Sequence, residues 1–164
     1  MSVRVSILTI SDRSFQGEWD DLSGPALETQ ISGQGWEVVR TGIVPDDLEA
    51  IKKELSSWAD FSDQDVILTT GGTGFTSRDI TPEATLAIID RMAPGLAEAM
   101  RTKSLEITQH AMLSRAVVGI RGRTLIINLP GSPKAAVENL EVVLPVIPHA
   151  VQLLKDDPEA EAGH

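Results

Sequence analysis

The stretch covering residues 66–85 constrains the fold more than any other part of the chain. Val66-Ile-Leu-Thr-Thr70 is a short, apolar, β-rich run stopped by Gly71-Gly72. A run of that kind belongs in the centre of a parallel sheet, where both faces of a strand are covered. Further on, Thr81 followed by Pro82 has the form of a helix N-cap and first helical residue, a place where the missing proline N–H costs nothing. A buried strand feeding a helix in this way commits the rest of the chain to an α/β layout.

The connection between the two, about Gly71 to Ile80, is longer than the roughly 2–6 residues usual for such loops, and surplus loop is usually functional. Gly71, Gly72 and Gly74 let backbone N–H groups approach a ligand closely, and concave rows of such groups bind anions. Two familiar phosphate loops do not fit. The loop contains no lysine, which a P-loop requires. Gly72-x-Gly74 is followed by Ser77 where a dinucleotide fingerprint needs its third glycine. The loop offers instead Arg78, able to bind a phosphate, beside Asp79, able to hold a cation.

Strand and helix patterns alternate around this stretch. Residues 3–10 alternate and read as a first strand, and residues 11–23 form a polar loop holding Asp12, Asp20 and Asp21. Gly24-Pro25 opens a helix that ends near Ser32. Residues 36–44 read as a second strand, stopped by Pro45. Asp46 and Glu49 match a capping box at the head of an amphipathic helix with Leu48, Ile51, Leu55 and Trp58 on one face. One helix is predicted from Pro82 to about Met92, and another from Pro94 with Leu96, Met100 and Ile107 as its apolar positions. Residues 116–120 and 124–127 flank Arg121-Gly122-Arg123 and read either as a hairpin or as strands joined by a longer loop. Residues 128–133 form a second strand-to-helix loop with Ser132 as N-cap; Pro145 and Pro148 are expected to break the helix that follows.

These patterns predict a single α/β domain over residues 1–155. Its sheet is mostly parallel and sandwiched by helices in a three-layer, Rossmann-like arrangement, with a small β-hairpin element. Residues 156–164 are acidic and read as a disordered tail. In such a sheet the loops leaving the carboxyl ends of the strands gather at one edge, so those at Ser11-Asp12, Pro45-Asp46, Gly71 and Asn128 should converge.

Composition narrows the chemistry. Among 164 residues there is no cysteine, which removes disulfides, thiolate zinc sites and a thiol nucleophile. No apolar run approaches the length that spans a bilayer, so no membrane association is expected and a cytoplasmic location is. The net charge of −10 argues against nucleic acid as a partner. Residues 91–134 carry seven basic side chains against two acidic ones, a local +5 that reads either as solvated arginines or as a face for a small anion.

Asp46 and Asp79 both sit in post-strand loops. A hard cation such as Mg²⁺ takes one or two carboxylates plus substrate phosphates, so both acids read either as metal ligands or, more plainly, as a helix N-cap (Asp46) and an Asx turn (Asp79). The three histidines are scattered without metal-ligand spacing, and no Gly-x-Ser-x-Gly or Ser-x-x-Lys pattern occurs. The absence of an evident protein nucleophile fits phosphoryl or nucleotidyl transfer, where the attacking phosphate is already ionised and the enzyme positions and neutralises charge.

Several segments together carry a resemblance: Leu8-Thr-Ile-Ser-Asp12, Val44-Pro-Asp46, Thr69-Thr-Gly-Gly-Thr-Gly-Phe75, Arg78-Asp-Ile-Thr-Pro-Glu83, Met112-Leu-Ser-Arg115 and Ile120-Arg-Gly-Arg-Thr-Leu-Ile-Ile-Asn-Leu-Pro-Gly-Ser132. In this order they resemble the MogA/MoaB family of molybdenum cofactor biosynthesis, which includes molybdopterin adenylyltransferases and the gephyrin G domain. The resemblance implies transfer of AMP from ATP to the terminal phosphate of molybdopterin with Mg²⁺ present, or, in a MoaB-type relative, molybdopterin binding as a non-catalytic scaffold. It carries the catalytic and metal-binding acids onto Asp46 and Asp79. The nucleotide and phosphate side falls on Ser11, Asp12, Thr70, Gly71, Gly72, Thr73, Gly74, Ser77 and Arg78. Molybdopterin contacts fall on Ser104, Met112, Ser114, Asn128, Pro130, Gly131 and Ser132. A homotrimer is implied, as is a partnership with the molybdate-insertion protein of the pathway.

Overall fold

The computed structural model describes residues 2–61 and 63–163. In chain order the elements are β1 (Arg4–Ile10), α1 (Asp12–Phe15), α2 (Ser23–Gly33), β2 (Glu37–Val44), α3 (Leu48–Phe61), β3 (Val66–Thr70), α4 (Thr81–Ile88), β4 (Arg91–Met92), α5 (Pro94–Leu105), β5 (Val118–Arg121), β6 (Thr124–Leu129), α6 (Pro133–Val143), α7 (Ile147–Leu154) and α8 (Pro158–Ala162). The strands form one six-stranded sheet in the order β2-β1-β3-β6-β5-β4. Strands β2, β1, β3 and β6 run parallel, while β5 is antiparallel to both β6 and β4.

The period of two along the central strands sorts the core onto two faces. Ile7, Leu68 and Ile127 stand in one register row and pack into a cluster with Leu27 of α2, Met100 of α5 and Leu140 of α6. Ile67 and Ile126 point the other way, toward Ile51, Leu55 and Trp58 of α3 and Ala84 of α4. All five residues of β3 are buried, as a strand covered on both sides must be. Fully buried aliphatic residues such as Ile51 and Leu55 each contribute about 1.5–3 kcal/mol.

Expectation and structure differ in several places. The 11–23 loop contains a helical turn, α1. Helix α4 stops at Ile88, and Arg91–Met92 instead pairs with Gly119 and Ile120 as an edge strand. Ile107 lies beyond the end of α5. The 116–127 segment is a hairpin, but its second strand, β6, sits at the sheet centre against β3. The helix expected to break at Pro145 and Pro148 does end, at Val143, and α7 begins at Ile147, but the 3-10 turn at Leu144–Val146 joins them into one run, Pro133–Leu154, that by length and composition alone could cross a membrane. Its Leu140, Val143, Leu144, Ile147 and Val151 are buried in the core. In the segment read as a tail, Pro158–Ala162 is helical, capped by Asp157.

Candidate active site

Four loops meet at the carboxyl edge of the sheet. Adjacent β1 and β3 send their chains to opposite faces, α2 to one and α4 to the other, which opens a crevice between them. Ser11 caps α1, its Oγ accepting from the Ser14 N–H at 3.2 Å. Asp47, not Asp46, caps α3 by accepting from the Ala50 N–H at 2.9 Å, so the capping-box reading of Asp46 is off by one residue. Asp46 turns instead to the loop after β1. The Asp12 N–H donates to Asp46 Oδ2 and the Asp46 N–H donates to Asp12 Oδ1, both at 2.9 Å. This reciprocal pair ties two loops together and leaves Asp46 Oδ1 beside Gly72.

The glycine loop is held from below. Gly71 and Gly72 have φ of +105° and +68°, and a side chain at either would strike the Ile10 carbonyl or Thr81 Oγ1. Thr81 is inside α4 rather than its cap; its hydroxyl donates to the Gly71 carbonyl at 2.9 Å. Beneath it, Thr85 Oγ1 donates to the Thr81 carbonyl, and fully buried Asn128 donates to both Thr69 Oγ1 and Thr85 Oγ1 at 3.0 and 3.1 Å. A continuous buried hydrogen-bond chain thus links β6 to Gly71.

The far end of the loop is clamped by Arg115. Its guanidinium donates to the Gly74 carbonyl (2.7 Å), the Asp79 carbonyl (2.8 Å) and Glu83 Oε1 (2.6 Å), and its N–H donates to the Thr73 carbonyl (2.8 Å). Asp79 does not form an Asx turn toward Thr81. Its Oδ2 accepts from the Thr76 N–H at 3.0 Å and lies next to Gly74.

Two cavities flank the loop. A cleft of ≈ 500 Å³ is lined by Asp46 and Asp79 together with Ser11, Thr70, Gly71 and Gly72, and also by Gly131 and Ser132. A smaller cavity of ≈ 260 Å³ takes Thr73 and Gly74 with Ser104, Ser114 and Pro130. The residues expected around one nucleotide are therefore divided between two spaces, and so are those expected around molybdopterin. Arg78 and Asp12 pair beside the cleft, Nε to Oδ2 at 2.9 Å and Nη2 to Oδ1 at 3.2 Å. Ser77 is exposed on the loop, Met112 is exposed and lines neither cavity, and Asn128 is sealed in the core.

The two linked acids titrate in opposite directions. The hydrogen bonds from Arg78 hold Asp12 below the usual carboxylate range. Burial pushes Asp46 up, and the charges of Asp12 and Asp79 add to the push. Among the described residues no three His, Cys, Asp or Glu side chains form a ready-made ion cage. Two carboxylates on an open cleft still suit Mg²⁺, which keeps waters and takes substrate phosphate oxygens.

Sequence reasoning missed Arg115 as the loop clamp, although it stands in the quoted Met112–Arg115 segment. It also missed Asp21, which accepts from Thr9 Oγ1 and the Gly24 N–H, and Ser23, whose hydroxyl donates to the Gly131 carbonyl at 2.5 Å. Apart from the local contact of Asp21 with the Gly24 N–H, these join residues far apart in the chain, and no local pattern encodes them.

Residues 6–149 match the family model described as "Probable molybdopterin binding domain". The chain belongs to this family. A molybdopterin adenylyltransferase of Helicobacter pylori is 43% identical over 93% of this chain and 88% of that protein. Gephyrin of Dictyostelium discoideum is 46% identical over 95% of this chain, which spans only 23% of gephyrin. The crystal structure of the molybdopterin biosynthesis enzyme MoaB from Thermus thermophilus superimposes with a TM-score of 0.89 at 53% identity, covering 95% of this chain and 98% of that one. The molybdopterin-binding family thus shares the fold that carries the cleft.

Proposed function

We propose that this family member is a molybdopterin adenylyltransferase. The observation that carries the reading is the meeting of Asp46, Asp79 and the Gly71–Gly72 backbone in one cleft, in a chain 43% identical to an enzyme of that name. An oxygen of the molybdopterin terminal phosphate attacks the α-phosphorus of ATP. The bond from that phosphorus to the β-phosphate oxygen breaks, and pyrophosphate leaves. The attacking oxygen is already ionised, so no general base is needed.

Ser11, Thr70, Gly71 and Gly72 hold the phosphates on the cleft side, and Asp46 and Asp79 are the residues that would hold Mg²⁺, which would supply charge neutralisation at the phosphates. Asp12 and Arg78 brace the cleft edge through their ion pair. Thr73 and Gly74 form the partition to the smaller cavity, where Ser104, Ser114 and Pro130 receive the pterin, while Gly131 and Ser132 face the joining phosphate. The working domain is residues 1–155, acting in the cytoplasm as a homotrimer that passes its product to a molybdate-insertion protein.

The test is pyrophosphate release on mixing the protein with ATP, Mg²⁺ and molybdopterin. Release that needs all three supports the enzyme. A second reading, a non-catalytic molybdopterin-binding scaffold, draws on the family description, which names binding and no reaction. Tight pterin binding without release would favour it, and ATP consumption without pterin would mark a nucleotide hydrolase instead.

A further inference from the structure

The cleft has a wall that neither acid nor the glycine loop supplies. Trp19 lines it, yet its side chain is 61% exposed and belongs to neither core cluster. Trp58, by contrast, is 2% exposed and packs under α3. We infer that Trp19 is the stacking platform for the base of the nucleotide, with the Arg13 guanidinium backing the opposite face of its ring. This rests on the adenylyl-transfer reading above and identifies the part of that site that holds the base.

The platform is built rather than incidental. After α1 the chain reverses at Gly17, whose φ of +79° is left-handed. The reversal lets the Glu18 and Trp19 N–H groups both donate to the Arg13 carbonyl, at 2.9 and 3.3 Å. Trp19 is thereby returned to Arg13, and the guanidinium carbon stands 4.0 Å from the indole centroid. Two residues later Asp21 anchors the loop twice, accepting from Thr9 Oγ1 at 2.8 Å and from the Gly24 N–H at 3.0 Å. The loop holding the indole is therefore fixed at both ends before any ligand arrives, which lowers the ordering cost of binding.

A cation over one face of an indole leaves the other for a planar partner, and aromatic stacking on a nucleobase is strong and tolerant of base identity. Trp19 lines the same cleft as Ser11, Asp46, Gly71, Gly72 and Asp79, so one nucleotide can engage the ring with its base and those groups with its phosphates. Because stacking reads area rather than hydrogen bonds, the platform favours purine over pyrimidine nucleotides and separates adenine from guanine only weakly.

The experiment compares ATP with tripolyphosphate, which has the charge and no base, by calorimetry on wild type, Trp19→Ala and Trp19→Phe. Trp19→Ala is expected to weaken ATP by roughly 5- to 100-fold while leaving tripolyphosphate within about twofold; Trp19→Phe recovers most of the loss. ATP quenches tryptophan emission in wild type and not in Trp19→Phe, where Trp36 and Trp58 still report. In turnover, Trp19→Ala raises KM for ATP far more than it lowers kcat. Equal ATP affinity in wild type and Trp19→Ala, with pyrophosphate release intact, overturns the platform alone. A wild-type protein that binds neither ATP nor tripolyphosphate overturns the adenylyl-transfer reading with it.

Discussion

The cleft and the smaller cavity share a wall, the segment Gly71 to Gly74, and differ in the acidic charge they carry. On the cleft side stand four carboxylates, Asp20, Asp21, Asp46 and Asp79, with hydroxyls, glycine backbone and the Trp19 ring; on the cavity side stand Ile107, Ala111, Leu113 and Pro130, with hydroxyls and amides such as Ser104, Ser114 and Asn139 and a single carboxylate, Glu138. Arg101 also lines the cavity, but its guanidinium is already engaged with the Ala116 carbonyl at 2.8 Å. A metal-bound polyphosphate suits the first space. A flat heteroaromatic body with a few hydrogen-bonding edges suits the second. The difference teaches that the glycine loop is a partition as much as a cradle: on the proposed function, its rigidity would set how closely two dissimilar substrates approach.

The sharpest way to break that picture is to remove charge from the cleft alone. Asp79→Asn and Asp46→Asn should each lower pyrophosphate release at least about 10³-fold, since a divalent cation at the phosphates is worth several kcal/mol. Circular dichroism and molybdopterin affinity should stay close to wild type, because neither acid lines the cavity. A variant that turns over normally removes that acid from the chemistry.

Next comes the partition itself. Arg115→Met removes the guanidinium contacts to the Gly74 and Asp79 carbonyls and to Glu83. It should cost about 1–3 kcal/mol of stability in urea unfolding and slow turnover roughly 10- to 100-fold, with KM rising for both substrates. An effect on one substrate only would show that the wall does not act as a unit. On the cavity side, Ser104→Phe should fill part of the ≈ 260 Å³ space. It should weaken molybdopterin about tenfold, some 1.4 kcal/mol, while ATP affinity moves less than twofold.

Much of this layout is legible in the sequence, because the signals for it are local. The buried run Val66–Thr70, the prolines at the heads of α4 and α6, and the alternation of strand and helix patterns foretell a parallel sheet, and the sheet rule then brings Asp46 and Asp79 to one edge. What stays hidden depends on pairing. Arg91–Met92 is a strand only because β5 lies beside it. Asp46 and Asp47 are indistinguishable as caps until the turn at Pro45, where the Asp47 N–H donates to the Pro45 carbonyl at 2.8 Å, sets which one faces Ala50. Asn128 stands in the loop motif next to true cleft residues, yet the strand's alternation turns it into the core, where it supports Gly71 through Thr85 and Thr81.

The smallest effect tests the electrostatics of the two linked acids. In the metal-free protein Asp46 faces Asp12, Asp79 and Arg78, and its carboxyl lies above its ordinary value chiefly through burial, whereas Asp12 lies below its own. A raised folded-state value means that ionised Asp46 opposes folding at neutral pH, and that this opposition disappears as pH falls through the raised value. Asp12 has the reverse sign: it stabilises above its unfolded value, and that stabilisation is lost as pH falls through the depressed one. Asp46→Asn keeps an oxygen to accept from the Asp12 N–H and removes the charge, so at pH 7 it should add less than about 1 kcal/mol of stability, the carboxyl being only partly buried, and raise the melting temperature slightly. The gain should shrink as pH falls through the range just above ordinary carboxylate values, then vanish. Asp12→Asn should instead lower the melting temperature at pH 7 and converge on wild type only below the ordinary range. If both variants move it in the same direction at pH 7, the opposed titration of the two acids is wrong.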